Sequence, residues 1–230
     1  MGRTSIATLI FAVFTTAPCL AQAEGAQHCG LLQATSLPMH LDSQGGPVIS
    51  ASVDDKDIAM LVDTGGVYSM LTDAAARELS LRTVPIDPGI YYLAQSGQTL
   101  SRSATAQSFA IGRVKLNHYT FLLLPSDKLS DGTRGVLGPD IMRRFDVEFD
   151  FANGKFNLFS HDHCEGKVVY WADDYAVLPL TIDESGHIVA NATLDDKAVK
   201  VLIDTGSTRS SMTVKEAHDR FGFEAISFSA

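Results

Sequence analysis

Two apolar runs in this sequence end on the same three residues. Ala59-Met60-Leu61-Val62 runs into Asp63-Thr64-Gly65-Gly66, and Val199-Lys200-Val201-Leu202-Ile203 runs into Asp204-Thr205-Gly206-Ser207. An apolar run of this length bounded by a glycine signal predicts a strand buried on both faces. Each carboxylate then sits where a buried strand breaks into a tight turn, and an isolated ionised carboxylate is costly there unless it is hydrogen-bonded or keeps its proton. A single copy reads as an Asx-turn whose Asp caps its own turn. A pair allows more. Two facing carboxylates cannot comfortably both ionise, so they share one proton and titrate together. One member can then take a proton from a bound water while the other polarises a carbonyl, which is chemistry suited to amide hydrolysis. Each glycine lets backbone approach a carboxylate, and each threonine offers a hydroxyl to anchor its loop.

An internal repeat supplies the framework that brings such a pair together. Displaced by 141 positions, Leu37–Ala76 falls on Leu178–Ala217 without a gap, and sixteen of the forty positions are identical. The identities include Leu37/Leu178, Pro38/Pro179, Asp42/Asp183, Asp54-Asp55-Lys56 on Asp195-Asp196-Lys197, and both Asp-Thr-Gly triplets. A period this long predicts duplicated lobes rather than a solenoid. Two such lobes can face each other across a pseudo-twofold axis with Asp63 opposite Asp204.

Each copy reads in one order: a strand (48–53, 188–194), an Asp-Asp-Lys turn, the Asp-Thr-Gly strand, and a helix. Thr72 is the expected N-cap of the first helix, followed by Asp73 and an alanine-rich turn. Thr213-Val214-Lys215-Glu216 has the capping-box pattern. Between the copies, residues 91–105 read as an exposed hairpin turning at Gln95-Ser96-Gly97-Gln98. Val114–Leu124 reads as a strand, and Pro139 starts a short helix through Arg144. Phe145, Val147, Phe149 and Phe151 alternate with acidic residues as in a half-buried strand. Asn153-Gly154 predicts a type I′ turn into a return strand over 155–159. The expected domains are a signal peptide at 1–23, a first lobe at 24–165, and at 166–230 the start of a second lobe lacking counterparts of the hairpin, the Gly-Val-Leu-Gly stretch and the Phe-rich strand.

With these residues in view, the sequence resembles the aspartic proteases of the retropepsin-like and pepsin-like type, most closely exported bacterial two-lobed members. Leu61-Val62-Asp63-Thr64-Gly65, Leu202-Ile203-Asp204-Thr205-Gly206-Ser207 and Gly135-Val136-Leu137-Gly138 carry the resemblance. It implies a mainly β fold, a closed acid-protease barrel lobe, duplicated, with a short helix after each Asp-Thr-Gly loop. It also implies an endopeptidase with Asp63 and Asp204 as catalytic dyad. Thr64, Gly65, Thr205, Gly206 and Ser207 would support the two loops, with the threonines as cross-lobe anchors. Val136, Leu137 and Gly138 would form the strand that threads the Asp63 loop, and the hairpin near Gly97, carrying Tyr91 or Tyr92, would be the flap. Gly66 stands where many members have Ser or Thr, which leaves Ser207 as the one local hydroxyl, beside Asp204. The resemblance implies a peptide or protein substrate, no cofactor and no metal. It allows two further readings, an inactive peptide-binding protein and a homodimer of first lobes using two copies of Asp63.

Composition narrows the alternatives. The 230 residues are 45% hydrophobic and 20% charged, as in ordinary globular proteins. A formal charge of −9 argues against a nucleic-acid partner. Arg3, the apolar stretch Ile6–Phe14 and Ala21-Gln22-Ala23 form a signal-peptide pattern cleaved near Ala23, which implies export to a periplasmic or extracellular space. No later stretch has the ~20 apolar residues of a membrane span. Beyond Ala23 only Cys29 and Cys164 remain, and in an exported chain they are the expected disulfide. The spacing of His161, His163 and Cys164 matches no zinc pattern. Gly45-Gly46-Pro47 lacks the lysine and helix of a phosphate loop, and Ser101 and Ser103 lack the His and Asp context of a nucleophile.

Overall fold

The computed structural model describes residues 30–90, 92–93, 97, 99–124, 129–130, 132–164 and 166–224. The signal-peptide segment, Cys29 and Tyr91 lie outside them. The fold is mainly β as expected, with 46% strand and 10% helix.

The first lobe is a barrel built from β2 (Pro47–Val53), β3 (Lys56–Val62), β4 (Met70–Thr72), β8 (Arg102–Ile111), β9 (Val114–Leu124) and β10 (Gly135–Leu137). These strands join in the order β2-β3-β10-β4-β9-β8, and pairing of Ser52 with Ala110 and Val53 with Phe109 closes β8 back onto β2. Closure removes the free edges that an open sheet would expose. The β3–β10 and β4–β9 pairs are parallel, so the chain must leave the sheet and return between their strands. The interior is close-packed, with Phe109 and Phe121 in edge-to-face contact at 4.9 Å among Val53, Met60, Val62, Leu71, Ile111 and Leu137. Along β3 the burial alternates: Ile58, Met60 and Val62 are buried, while Ala59 and Leu61 are half-covered. The expectation of a strand buried on both faces is therefore met on one face only. Leu61 lies on the outer face of the barrel, against Gly46.

Outside the barrel, β1 (Gln33–Leu41) pairs with β2 and with β12 (Lys155–Phe159), which forms a hairpin with β11 (Asp146–Asp150). Asn153-Gly154 does not make the expected two-residue turn. The register joins Asp150 to Lys155, and only Gly154 has a positive φ. A type I′ turn needs both central residues left-handed. Here the Asp150 carboxylate accepts from the backbone N–H of Asn153 at 3.0 Å and from its side-chain amide, which widens the loop to four residues. Type I′ geometry occurs instead at Asp54-Asp55 (φ 47° and 62°) and at Asp195-Asp196 (φ 46° and 60°). The helix α1 (Asp73–Glu78) starts at Thr72, whose hydroxyl accepts the Ala75 N–H at 3.0 Å as expected. The short helix α2 spans Pro139–Met142, and β5 (Arg82–Pro85) edges the sheet beside β8.

The second lobe contributes β13 (Leu180–Ile182), β14 (Ile188–Leu194), β15 (Lys197–Leu202) and α3 (Val214–Phe221). The three strands form one antiparallel sheet in the order β13-β14-β15. Thr213 caps α3 by accepting the Glu216 N–H at 3.1 Å, and the helix leans on the β14–β15 turn through Arg220 to the Ala198 carbonyl at 3.0 Å. Ile182 is 65% exposed and Val201 37%, against 0% for Met60 at the position matching Val201. Apolar side chains that close a core in the first lobe lie open in the second. Phe109→Ala is expected to cost about 3–5 kcal/mol through a core cavity, and Ile182→Ala less than about 0.5 kcal/mol. Urea unfolding of both variants measures the difference.

Candidate active site

The parallel register of β10 on β3 sets Gly135, Val136 and Leu137 beside Met60, Leu61 and Val62. The other edge of β10 pairs with β4, so the strand runs between the two arms that flank the Asp63 loop. Leu137 carbonyl accepts the Asp63 N–H at 3.0 Å. Gly138 ends the strand where a methyl group would stand 2.6 Å from the Tyr68 carbonyl carbon, so only glycine fits there. Val136, Leu137 and Gly138 thus pass between β3 and β4 beside the Asp63 loop.

The loop turns around its own carboxylate. Asp63 Oδ1 accepts from the N–H groups of Gly65 at 2.8 Å and Gly66 at 3.1 Å, and Asp204 Oδ1 accepts from Gly206 N–H at 2.8 Å. The two loops meet through their threonines. Thr64 Oγ1 donates to the Ile203 carbonyl at 2.7 Å and accepts the Thr205 N–H at 3.0 Å. Thr205 Oγ1 donates to the Val62 carbonyl at 2.7 Å and accepts the Thr64 N–H at 3.1 Å. Each hydroxyl uses its proton and a lone pair on the opposite lobe, so the bonds close a ring.

This ring brings the carboxylates together. A methyl group on Gly65 would stand 2.1 Å from Asp204 Cγ, and one on Gly206 2.7 Å from Asp63 Cγ. Each carboxylate rests on the other lobe's glycine, which explains why the third residue of both triplets lacks a side chain. Burial, followed by the negative charge and side-chain contact of Asp204, pushes the Asp63 carboxyl up to about 6 against the opposing pull of the Gly65 and Gly66 N–H groups. Further symmetric contacts flank the pair, Gly45 facing Thr208 and Gly186 facing Val67.

Ser207 departs from expectation. Its hydroxyl donates to the Arg209 carbonyl at 2.9 Å rather than to Asp204, whose Oδ1 is already served by Gly206. On the Asp63 side, where Gly66 brings no hydroxyl, the Gly66 N–H supplies the second donor. The hairpin near Gly97 is formed by β6 (Tyr92–Leu93) and β7 (Thr99–Leu100), with Gly97 exposed. Tyr92 meets Tyr68 edge to face at 5.2 Å, and Leu100 packs with Leu124 and Val136. The hairpin therefore leans on the segment that follows Asp63. Cys164 is disulfide-bonded, and its expected partner Cys29 lies outside the described residues. His161 and His163 turn to Asp146 as ion-pair partners, and among the described residues no group of three or more His, Cys, Asp or Glu is arranged to hold a metal ion.

Sequence reasoning missed the side chains that brace the loops. Asp42 accepts from Gln44 N–H and Gly46 N–H at 2.9 Å and from Ser130 Oγ at 2.7 Å. Burial opposes its ionisation, yet the Ser130, Gly46, Gln44 and Gly45 donors hold it below the usual carboxylate range. Ser69 and Asp140 join behind Gly138. The identities Asp42/Asp183 and Ser69/Ser210 in the repeat were the available signal. Ser130 carries none, nor does Tyr119, whose hydroxyl donates to the Asp140 carboxylate.

Thr64→Val or Thr205→Val should each cost on the order of 1–3 kcal/mol, because removal of one hydroxyl leaves a carbonyl and an amide unpaired on the opposite lobe. Thr→Ser should restore most of it in urea unfolding. The raised Asp63 proton affinity carries its own sign. The folded state holds that proton more tightly than the unfolded chain, so the contribution of Asp63 to stability is greatest below about pH 4 and falls as pH rises through about 6. Asp63→Asn should flatten that slope in unfolding curves at pH 4 and pH 7.

Residues 49–141 match the aspartyl protease family model, a span that runs from β2 to α2 and includes Asp63 and the threaded strand. No curated protein matched the sequence. Among solved structures, the chain is similar to a retropepsin-like aspartic protease from Rickettsia conorii, 19% identical over 57% of this chain and 95% of that one, with a TM-score of 0.38. It is also similar to the EIAV protease complexed with the inhibitor HBY-793, 20% identical over 45% of this chain and 91% of that one, TM-score 0.34. Basic 7S globulin from soybean is 15% identical over 69% of this chain and 58% of that one, TM-score 0.43. A closed six-strand barrel, an Asp-Thr-Gly loop beside an apolar-apolar-Gly strand and a family model that spans both belong together: residues 49–141 of this chain match the aspartyl protease family, on a fold similar to retropepsin-like proteins.

Proposed function

We propose that this chain is an aspartic endopeptidase that hydrolyses peptide bonds with a water activated by Asp63 and Asp204. The observation that carries this reading is the seating of each carboxylate on the opposite lobe's glycine. Asp63 keeps the shared proton because burial and the charge of Asp204 favour it. Asp204 takes a proton from the bound water as its oxygen adds to the carbonyl carbon, and Asp63 gives its proton to the carbonyl oxygen. The resulting gem-diol collapses when Asp204 returns a proton to the amide nitrogen. The C–N bond then breaks, and a hydroxyl proton passes to Asp63 to restore the pair. The hairpin near Gly97 serves as the flap that excludes water.

The intrachain pairing of Asp63 with Asp204 makes us favour a dyad within one chain over two copies of Asp63 in a dimer. The signal-peptide pattern and the disulfide at Cys164 support an exported location. Among the described residues no helix is long and apolar enough to cross a membrane.

A second reading, peptide binding without turnover, draws on the open second lobe. There, among the described residues, β15 pairs with β14 alone, and no strand lies beside it as β10 lies beside β3. Cleavage assays of a peptide library from pH 3 to 8 separate the two. The enzymatic reading expects activity that declines above about pH 6 as Asp63 loses its proton, and a loss of about 10²–10⁴-fold in Asp63→Asn and in Asp204→Asn while both remain folded. Tight binding of a hydroxyl-bearing transition-state mimic with no cleavage at any pH would support the second reading instead.

A further inference from the structure

Asp140 lies outside the carboxylate pair, yet its side chain collects three donors. Oδ1 accepts the Ser69 N–H at 2.9 Å and the Ser69 hydroxyl at 2.8 Å, and Oδ2 accepts the Tyr119 hydroxyl. The Ser69 hydroxyl in turn accepts the Gly138 N–H at 3.0 Å. Asp140 N–H donates to the Val67 carbonyl at 3.1 Å. Residues 137–140 therefore grip the Asp63 loop at both ends: Leu137 takes the Asp63 N–H where the loop begins, and Asp140 holds Val67 and Ser69 where it finishes.

Tyr119 connects that grip to the rigid part of the lobe. It lies on β9, where its ring packs on Phe121 at 4.7 Å and on Phe109 at 5.3 Å, two of the largest fully buried side chains. Its hydroxyl is the end of the core that reaches α2. Burial and the adjacent Asp140 carboxylate raise its proton affinity, so the phenol stays a donor. Ser69 is 1% exposed and both of its polar groups are used, so little competes with the network.

We propose that Tyr119 and Asp140 are positioning residues that fix the Asp63 loop, and with it the spacing of Asp63 from Asp204, by anchoring residues 67–69 and 137–138 to the barrel core. The catalytic part of this inference rests on the endopeptidase reading, whereas the anchoring part does not. A shift of the loop by a fraction of an ångström would leave the peptide-binding surface largely intact while misaligning water and carbonyl.

The test compares Tyr119→Phe, Asp140→Ala and Asp140→Asn in the full chain. Tyr119→Phe removes one hydroxyl and keeps the ring. Asp140→Asn keeps an oxygen for both Ser69 donors and turns an amide N–H toward a phenol that can accept it. Kinetics should show kcat reduced about tenfold in Tyr119→Phe and about a hundredfold in Asp140→Ala. KM should stay within about twofold, and Asp140→Asn should recover most of the loss. Amide hydrogen exchange reads the anchoring without any activity. Protection at residues 63–69 and 136–138 should fall in the first two variants relative to the β8–β9 amides, and should return in Asp140→Asn. Unchanged protection at those amides, or a uniform fall across the barrel, overturns the anchoring. Selective loss of protection with wild-type kcat overturns the catalytic part. If the parent chain cleaves nothing, the endopeptidase reading fails and the exchange experiment still decides the anchoring.

Discussion

The ring of hydrogen bonds between Thr64 and Thr205 is the constraint on which the rest of the site depends. Each hydroxyl reaches past its own loop to a carbonyl at the end of the opposite strand, Val62 or Ile203, and takes the amide proton of the opposite threonine. Such a ring can close only when two strand ends meet head on, with their carboxylates on the same side. It also satisfies polar backbone groups that the meeting would otherwise strip of water, where each unpaired group would cost about 1–3 kcal/mol. The two glycines follow from the same geometry, because each carboxylate occupies the space a side chain would need. Proximity then does the electrostatic work: two carboxylates in partial burial cannot both give up their protons easily, and Asp63 keeps one to about pH 6.

The two halves of this pair are supported unequally. Behind Asp63 stands a closed barrel, with the Leu137 carbonyl of β10 accepting the Asp63 N–H and Asp140 holding the far end of the loop. Behind Asp204 stands a three-stranded sheet whose apolar residues are largely exposed, with α3 leaning on its turn. The two loops meet through the threonine ring and the facing contacts of Gly45 with Thr208 and Gly186 with Val67.

Much of the fold was legible because the signals are local. Binary alternation marked β11, strand-forming residues marked β9, the Asp-Asp turns marked two hairpins, and Thr72 and Thr213 marked helix starts, each within a few residues of the group it satisfies. The Asn153-Gly154 turn failed for a reason equally local but competitive: the Asp150 carboxylate captured Asn153 and shifted the loop to four residues. Ser207 failed likewise, its hydroxyl finding the Arg209 carbonyl while Gly206 served Asp204. Patterns name the residues capable of a bond, and the competition among nearby acceptors decides which bond forms.

By itself, the sequence determined the chemistry on offer: two Asp-Thr-Gly strand ends, a repeat of 141 positions to relate them, and a Gly-Val-Leu-Gly strand to brace one of them. Residue type and spacing suffice for that, since a carboxylate at the end of an apolar strand is a problem with few solutions. Only the tertiary structure decided that Asp63 is buried against a second carboxylate and what holds its loop. Burial and charge depend on every neighbour at once, and the bond from Tyr119 to Asp140 joins β9 to α2, two elements that no periodicity relates.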